Sequence, residues 1–177
     1  MKPPLSVTRV FVAAATCASA VAATIASPLP EFQPENSFKS FTIERQKVSS
    51  YLACAKPKIN QASGDLGALY GCTGGKAETV KFFVNELANS GGKVKNVKFL
   101  WNDYTKNIGE GIHADAPIAK QWAGHLADMY APSQKAQVVR IFLANKNTVI
   151  ESSTHVLTYT YSKGPAADER MFVVTKK

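Results

Sequence analysis

Two cysteines, Cys54 and Cys72, constrain the fold of this 177-residue chain more than any other feature of its sequence. The third cysteine, Cys17, falls in an N-terminal segment that we expect to be removed, so an even pair remains. In an oxidising compartment such a pair usually forms a disulfide. The loop between the two residues is about 18 residues long, for which loop-closure entropy predicts a stabilisation of roughly 3 kcal/mol. We therefore predict a Cys54–Cys72 disulfide.

The N-terminal segment, residues 1–26, has the composition of a secretory signal peptide. Lys2 and Arg9 are its only charged residues, residues 10–25 are almost entirely small or apolar, and Ala26 is a small residue suited to cleavage. The apolar run is too short and too rich in alanine for a comfortable membrane span. We therefore expect a secreted or periplasmic protein with no transmembrane span after processing. About 151 residues then remain to form the fold.

The chain is basic, with 21 lysines and arginines against 13 acidic residues and a net charge of +8. Removal of the leader lowers this charge to about +6. Such a charge permits an anionic surface as a partner, and Lys93, Lys95 and Lys98 concentrate it in one region. No sequence signature of an RNA- or DNA-binding module is present, and export argues against a genomic role. We expect a protein or cell-envelope partner and no specific nucleic acid.

Periodicity predicts a single domain over residues 42–177, after a proline-rich, extended lead-in over residues 27–41. Apolar spacing predicts helices over residues 42–55, 60–70 and 76–89, and two more that begin near Asp115 and Ser133. Alternation predicts a strand around Val97, Phe99 and Trp101, and a C-terminal β-hairpin around residues 157–175. No βαβ alternation recurs. The predicted class is α+β, with helices packed on a small, mainly antiparallel sheet.

Four residues are candidates for catalysis, because their side chains titrate and lie close together in sequence. His113 and Asp115 lie at the junction between a loop and a helix, and His125 and Asp128 share one face of that helix. If they converge, they could support acid–base or metal-assisted hydrolysis. The ordinary interpretation is that Asp115 caps the helix and His125 lies at its surface. No serine-nucleophile, phosphate-loop or zinc-ligand spacing occurs, so we expect no cofactor and no metal.

The best candidate binding surface lies where the predicted strand ends and a glycine-rich loop follows. Loops of this kind carry function more often than the elements they connect. We therefore predict an exported, non-enzymatic binding module for a protein or envelope partner. A small secreted hydrolase and a carrier of a small apolar ligand are the alternatives. The candidate binding residues are Trp101, Asn102, Asp103, Tyr104, Glu110 and His113.

Overall fold

The computed structural model describes residues 37–54 and 56–177. The predicted signal peptide and most of the predicted lead-in lie outside these residues. Helix α1 (Phe41–Leu52) begins directly after Ser40, whose hydroxyl accepts a hydrogen bond from the backbone N–H of Ile43 at 3.4 Å. A serine in this position satisfies a helix N–H that has no partner within the helix. Phe41, which the sequence placed in the lead-in, is therefore the first residue of the helix.

A single antiparallel sheet forms the centre of the fold. Within the described residues it has seven strands in the spatial order β1-β2-β3-β4-β7-β6-β5. The central strand is therefore β4, which pairs with β3 on one side and, on the other, with β7 from a distant part of the chain. The strands are β1 (Lys58–Asn60), β2 (Leu69–Gly74), β3 (Val80–Glu86), β4 (Val94–Tyr104), β5 (Thr148–Glu151), β6 (His155–Ser162) and β7 (Ala167–Lys176).

Two further helices connect β4 to β5. Helix α2 (Ala116–Tyr130) carries Pro117 in its first turn, where the missing N–H removes no helical hydrogen bond. A short 3-10 turn (Pro132–Gln134) then leads into helix α3 (Lys135–Phe142). All three helices contribute to one hydrophobic core with the buried side chains of the sheet.

The core lies between the helices and one face of the sheet. Alternate residues of β2, β3, β4, β6 and β7 are buried, and the residues between them are only half-buried. Phe142 lies near the centre, with ring centroids 4.9 Å from Phe99, 6.0 Å from Trp101 and 6.2 Å from Phe172. Because alternate side chains point to opposite faces, the half-buried set forms a second face that the helices do not cover.

The predicted α+β class is confirmed, including the antiparallel sheet, the C-terminal hairpin of β6 and β7, and the disulfide. Cys54 follows α1 and Cys72 lies in β2, with their Cα atoms 5.4 Å apart. The bond ties the end of the first helix to the sheet. Cys72 is buried in the core, which protects one side of the bond from solvent.

The helix predicted over residues 76–89 is wrong, because half of this segment is strand β3 and the rest is turn or loop. Its apolar residues fit helical spacing, but Val80, Phe82 and Val84 also alternate, and a short apolar run satisfies both periods. β-branched and aromatic residues favour strands, and β3 pairs with both β2 and β4. Pairing with neighbouring strands therefore determines that this segment forms a strand, a choice between helix and strand that periodicity alone does not make.

The helix predicted over residues 60–70 is also wrong. The structure has β1, a loop, and the start of β2 there, and Leu66 is 73% exposed. The helix expected after Ser133 begins two residues later, because Ser133 lies in the 3-10 turn. Strand β5 was not expected, although it extends the C-terminal hairpin by one strand. Among the described residues, no helix combines the length and hydrophobicity needed to cross a membrane.

Candidate functional site

Asp103 and His113 form a carboxylate–imidazole pair at one end of the sheet. Nδ1 of His113 lies 2.7 Å from Oδ1 of Asp103, although the two residues are ten positions apart. Asp103 is 2% exposed, whereas 60% of the His113 side chain is exposed. A buried carboxylate therefore orients an imidazole that remains open to solvent. This is the arrangement that fixes the tautomer of a histidine base in many hydrolases.

Arg170 of β7 holds the other oxygen of this carboxylate. Its Nε donates to Oδ2 of Asp103 at 3.1 Å, and its Nη1 donates to the backbone carbonyl of Ala144 at 3.2 Å. The guanidinium lies 5.7 Å from the ring centroid of Trp101 and 5.1 Å from that of Tyr161. Burial lowers the pKa of Arg170, but its hydrogen bonds and the charge of Asp103 more than offset this, so the pKa is raised. The buried charges are therefore paired.

Asp115 does not join this pair. Its carboxylate accepts hydrogen bonds from the backbone N–H of Ala77 at 3.3 Å and from the backbone N–H and hydroxyl of Thr79 at 3.2 and 3.0 Å. Asp115 is the residue before α2, as the sequence predicts, but its side chain makes no capping hydrogen bond to the helix. It ties the turn between β2 and β3 to the start of α2.

The backbone around His113 is held in an uncommon conformation. His113 and Asp115 have φ angles of 55° and 60°, in the left-handed region that non-glycine residues rarely adopt. The backbone N–H of His113 donates to the carbonyl of Tyr104 at 2.7 Å, and this bond helps hold the strained turn. Such strain persists only where the surrounding contacts over-determine it.

His125 and Asp128 lie on α2, away from the pair formed by Asp103 and His113. Nδ1 of His125 is 3.9 Å from Oδ2 of Asp128, beyond hydrogen-bond distance, and Lys135 binds the same oxygen at 2.8 Å. Burial lowers the pKa of His125, and the charge of Asp128 only partly opposes this. Among residues 37–54 and 56–177, no three His, Cys, Asp or Glu side chains are placed to hold a metal ion.

The candidate binding residues do not share one surface. Trp101 and Asp103 are buried on the helix-covered face, and Trp101 Nε1 donates to the carbonyl of Ala114 at 3.0 Å. Asn102 and Tyr104 alternate with them and are half-buried. Glu110, in the following loop, and His113 are exposed. Within this set, the side chains of Asp103 and His113 contact each other directly, and Tyr104 contacts His113 through the backbone.

The uncovered side of the sheet carries a different set of side chains, which we call the open face. Lysines, apolar residues and threonines alternate across neighbouring strands there. Phe83 of β3 pairs with Lys98 of β4, and Lys81 pairs with Leu100. The half-buried residues of the open face include Gly71, Thr73, Lys81, Phe83, Lys98, Leu100, Thr158, Thr160, Met171 and Val173.

A groove of about 240 Å³ crosses one end of the open face, between β1, β2 and β3. Lys56, Lys58 and Lys81 line it together with the ring of Phe83, and none of its described lining residues is acidic. Glu78 lies nearby and forms an ion pair with Lys56. This bond and the charge of Lys56, followed by the charges of Lys58 and Lys81, lower the pKa of Glu78. We call this region the basic groove.

The sequence did not indicate the basic groove, because β3 was predicted as a helix and neither β1 nor β2 was predicted as a strand. With the strand assignment known, the alternation of Lys81 and Phe83 on one side of β3 and of Lys98 and Leu100 on β4 would have predicted it. The contact between Asp103 and Arg170 had no signal in the sequence, since it depends on the pairing of β4 with β7.

Fold and side-chain geometry thus define a disulfide-bonded α+β protein with one helix-covered sheet face and one open face that carries a basic groove. No family model, curated protein or solved structure matches this chain.

Proposed function

We propose that this chain is an exported, non-enzymatic binding module that holds an acidic polysaccharide of a cell surface or envelope on the open face of its sheet. The basic groove is the observation that carries the proposal. It combines Lys58 and Lys81 with the exposed side of the Phe83 ring in a space of about 240 Å³. The signal-peptide-like leader supports an extracellular or periplasmic site of action.

The charge of the groove favours an anion. Three lysines surround one carboxylate, Glu78, so the region keeps an excess of positive charge. Clustered lysines raise the local concentration of an anionic partner and speed its association. Positive charge continues beyond the groove to Lys98, which pairs with Phe83 across the strands. Because the positive charge extends beyond the groove, an anionic polymer can contact more of these lysines than a single small anion can.

The flat ring in the groove favours a sugar polymer among polyanions. Gly71 lies across from Phe83, and a Cβ atom at Gly71 would lie 3.5 Å from two atoms of the Phe83 ring. The glycine leaves the ring uncovered by a side chain. An aromatic ring can pack against the apolar face of a sugar while lysines bind its carboxylates. Single-stranded nucleic acids usually require several stacking aromatic residues, and Phe83 is the one aromatic ring among the described residues that line this groove.

Charge reversal in the groove tests the proposal. We expect the disulfide-intact protein to bind polygalacturonate, and Lys58→Glu or Lys81→Glu to weaken the binding about 10- to 30-fold. A lysine beside an anionic surface contributes about 1 kcal/mol, and reversal adds repulsion to its loss. Lys120→Glu is the matched control, since Lys120 is exposed on α2, away from the groove. Calorimetry at two salt concentrations measures the affinity and its electrostatic part.

Two results would overturn this proposal. Equal affinity of the Lys58, Lys81 and Lys120 variants would show that binding follows net charge alone. Tighter binding to poly(U) or to phosphatidylglycerol vesicles than to polygalacturonate would assign the groove to a different class of partner.

The pair formed by Asp103 and His113 favours a second candidate, a small secreted hydrolase. Nε2 of His113 would accept a proton from a water molecule as the water oxygen bonds to an ester carbonyl carbon. The same proton would then pass to the alkoxide that leaves. In that case His113→Gln would abolish hydrolysis of p-nitrophenyl acetate beyond the background rate and leave polygalacturonate binding unchanged. Equal hydrolysis by the parent protein and this variant would exclude the candidate.

A further inference from the structure

A second cavity lies on the helix-covered side of the molecule, where the end of α1 meets β2 and the first half of α2. Its volume is about 280 Å³. Aromatic and aliphatic side chains form most of its wall, with two neutral polar groups among them. The residues that matter for its chemistry are Tyr51, Leu52, Ile118, Gln121, Trp122 and His125. We call this cavity the aromatic pocket.

The aromatic pocket is uncharged. None of its described lining residues is acidic or a lysine or arginine, in contrast to the basic groove. His125 is the one titratable imidazole in the wall, and burial lowers its pKa, so the ring is neutral at pH 7. Two carboxylates lie close to the lining. That of Asp115, next to Gly75, accepts hydrogen bonds from Ala77 and Thr79, and that of Asp128 is bound by Lys135 at 2.8 Å.

The floor of the pocket is a close contact between the Trp122 ring and the backbone of β2. A Cβ atom at Gly74 would lie 2.5 Å from an atom of the indole, so only glycine fits at that position. Gly75 follows with a φ of 82°, a conformation that glycine adopts without strain. The rings of Tyr51 and His125 meet edge to face at a centroid distance of 6.0 Å. These contacts hold the aromatic walls in place before any ligand arrives.

We propose that the aromatic pocket binds a single neutral sugar ring. A pyranose has an apolar face, which packs on aromatic side chains, and an edge of hydroxyls, which the Gln121 amide and the His125 imidazole can bind. A wholly apolar ligand would cover the half-buried His125 imidazole without offering it a hydrogen-bond partner, which costs affinity. The volume of about 280 Å³ lies at the lower end of ligand pockets and suits one ring. The absence of charge in the described lining selects a neutral sugar over an acidic one.

Nuclear magnetic resonance titration with methyl glycosides of glucose, galactose and N-acetylglucosamine tests this site. We expect at least one glycoside to bind with a millimolar dissociation constant and to shift the amide resonances of residues 51–53, 74–75 and 118–125. Gln121→Ala and His125→Phe each remove one polar group, and each should weaken the binding about 2- to 10-fold, the value of a neutral hydrogen bond. Gln46→Ala, on the exposed side of α1, is the matched control.

The outcomes separate this site from the open face. Saturable shifts that Gln121→Ala weakens and Gln46→Ala leaves unchanged would support the pocket. No shift with any of the three glycosides, or shifts that all variants retain equally, would overturn it. Because the residues differ from those of the basic groove, Gln121→Ala should leave polygalacturonate binding unchanged. Conversely, the Lys81→Glu variant should lose affinity for polygalacturonate and still bind the glycoside as tightly as the parent protein.

Discussion

His155 is a buried imidazole, and its burial makes the stability of this protein depend on pH. It is 3% exposed at the start of β6, with its ring centroid 4.7 Å from that of Phe38 and 5.2 Å from that of Tyr130. Its Nδ1 lies 2.7 Å from the hydroxyl of Thr154, and its buried Nε2 has no hydrogen-bond partner in the described part of the chain. Charging such a ring is costly, because neither water nor an acceptor reaches Nε2.

Burial is the main reason that the pKa of His155 falls from 6.5 to about 4 in the folded protein. The charge of Lys47 on α1 lowers it further, and the carboxylate of Glu44 on the same helix opposes this. From β7, Lys176 pairs with His155 across the strands. Well above pH 6.5 the imidazole is neutral in both the folded and the unfolded state and contributes no pH dependence.

Between pH 6.5 and 4 the His155 imidazole is protonated in the unfolded chain but remains neutral in the folded protein. The free energy of unfolding therefore decreases as the pH falls through this range and levels off below the folded pKa. At about 1.4 kcal/mol for each pKa unit, the total loss is about 3 kcal/mol. This is a large part of the stability of a typical domain.

Urea denaturation at several pH values between 7.5 and 3.5, with parent and His155→Phe proteins, measures this loss. Phenylalanine keeps an aromatic ring in the site and removes the titration. The difference between the two stabilities should change by about 3 kcal/mol across the range, while carboxylates that titrate in both proteins cancel. If the variant does not fold, the resonances of the His155 ring in the parent protein report its pKa directly. A constant difference, or a ring that titrates near 6.5, would refute the reasoning.

Three further predictions concern the contacts that hold the fold. Replacing Cys54 and Cys72 by alanine should lower the free energy of unfolding by roughly 3 kcal/mol, and reducing agent should then have no further effect on urea denaturation. Asp115→Ala removes three hydrogen bonds to the β2–β3 turn and should cost about 2 to 3 kcal/mol by the same measurement, with Asp115→Asn less affected. Gly74→Ala should cost about 1 to 3 kcal/mol through its clash with the Trp122 ring, and a pairing with Trp122→Leu should recover part of that loss.

Local patterns in the sequence predicted those parts of the fold in which neighbouring residues decide the structure. The alternation around Phe99 predicted β4, and the two final strands formed the expected hairpin. The even cysteine pair predicted the bond between Cys54 and Cys72. Each of these inferences depends on residues close together in sequence or on the chemistry of one residue type.

The sequence could not predict features that depend on pairing between distant strands. The apolar residues of segment 76–89 fit a helical period. Residues Val80–Glu86 of this segment form a strand because they pair with β2 and β4. Of the four catalytic candidates, only His113 meets a buried carboxylate, and that carboxylate belongs to Asp103, which was selected for binding instead. Arg170, which completes this cluster, lies 67 residues from Asp103 in sequence.

The position of β7 determines when this sheet can be completed as the chain folds. Strands β1 to β4 form one antiparallel run, β5 and β6 form another, and β7 joins the two by pairing with β4 on one side and β6 on the other. Until residues 167–176 are available, β4 has a partner strand on one side only, β3, and the two runs remain unjoined. Folding that waits for such distant contacts is slow compared with the folding of helical bundles. The complete seven-stranded sheet can therefore form only after residues 167–176 have been synthesised.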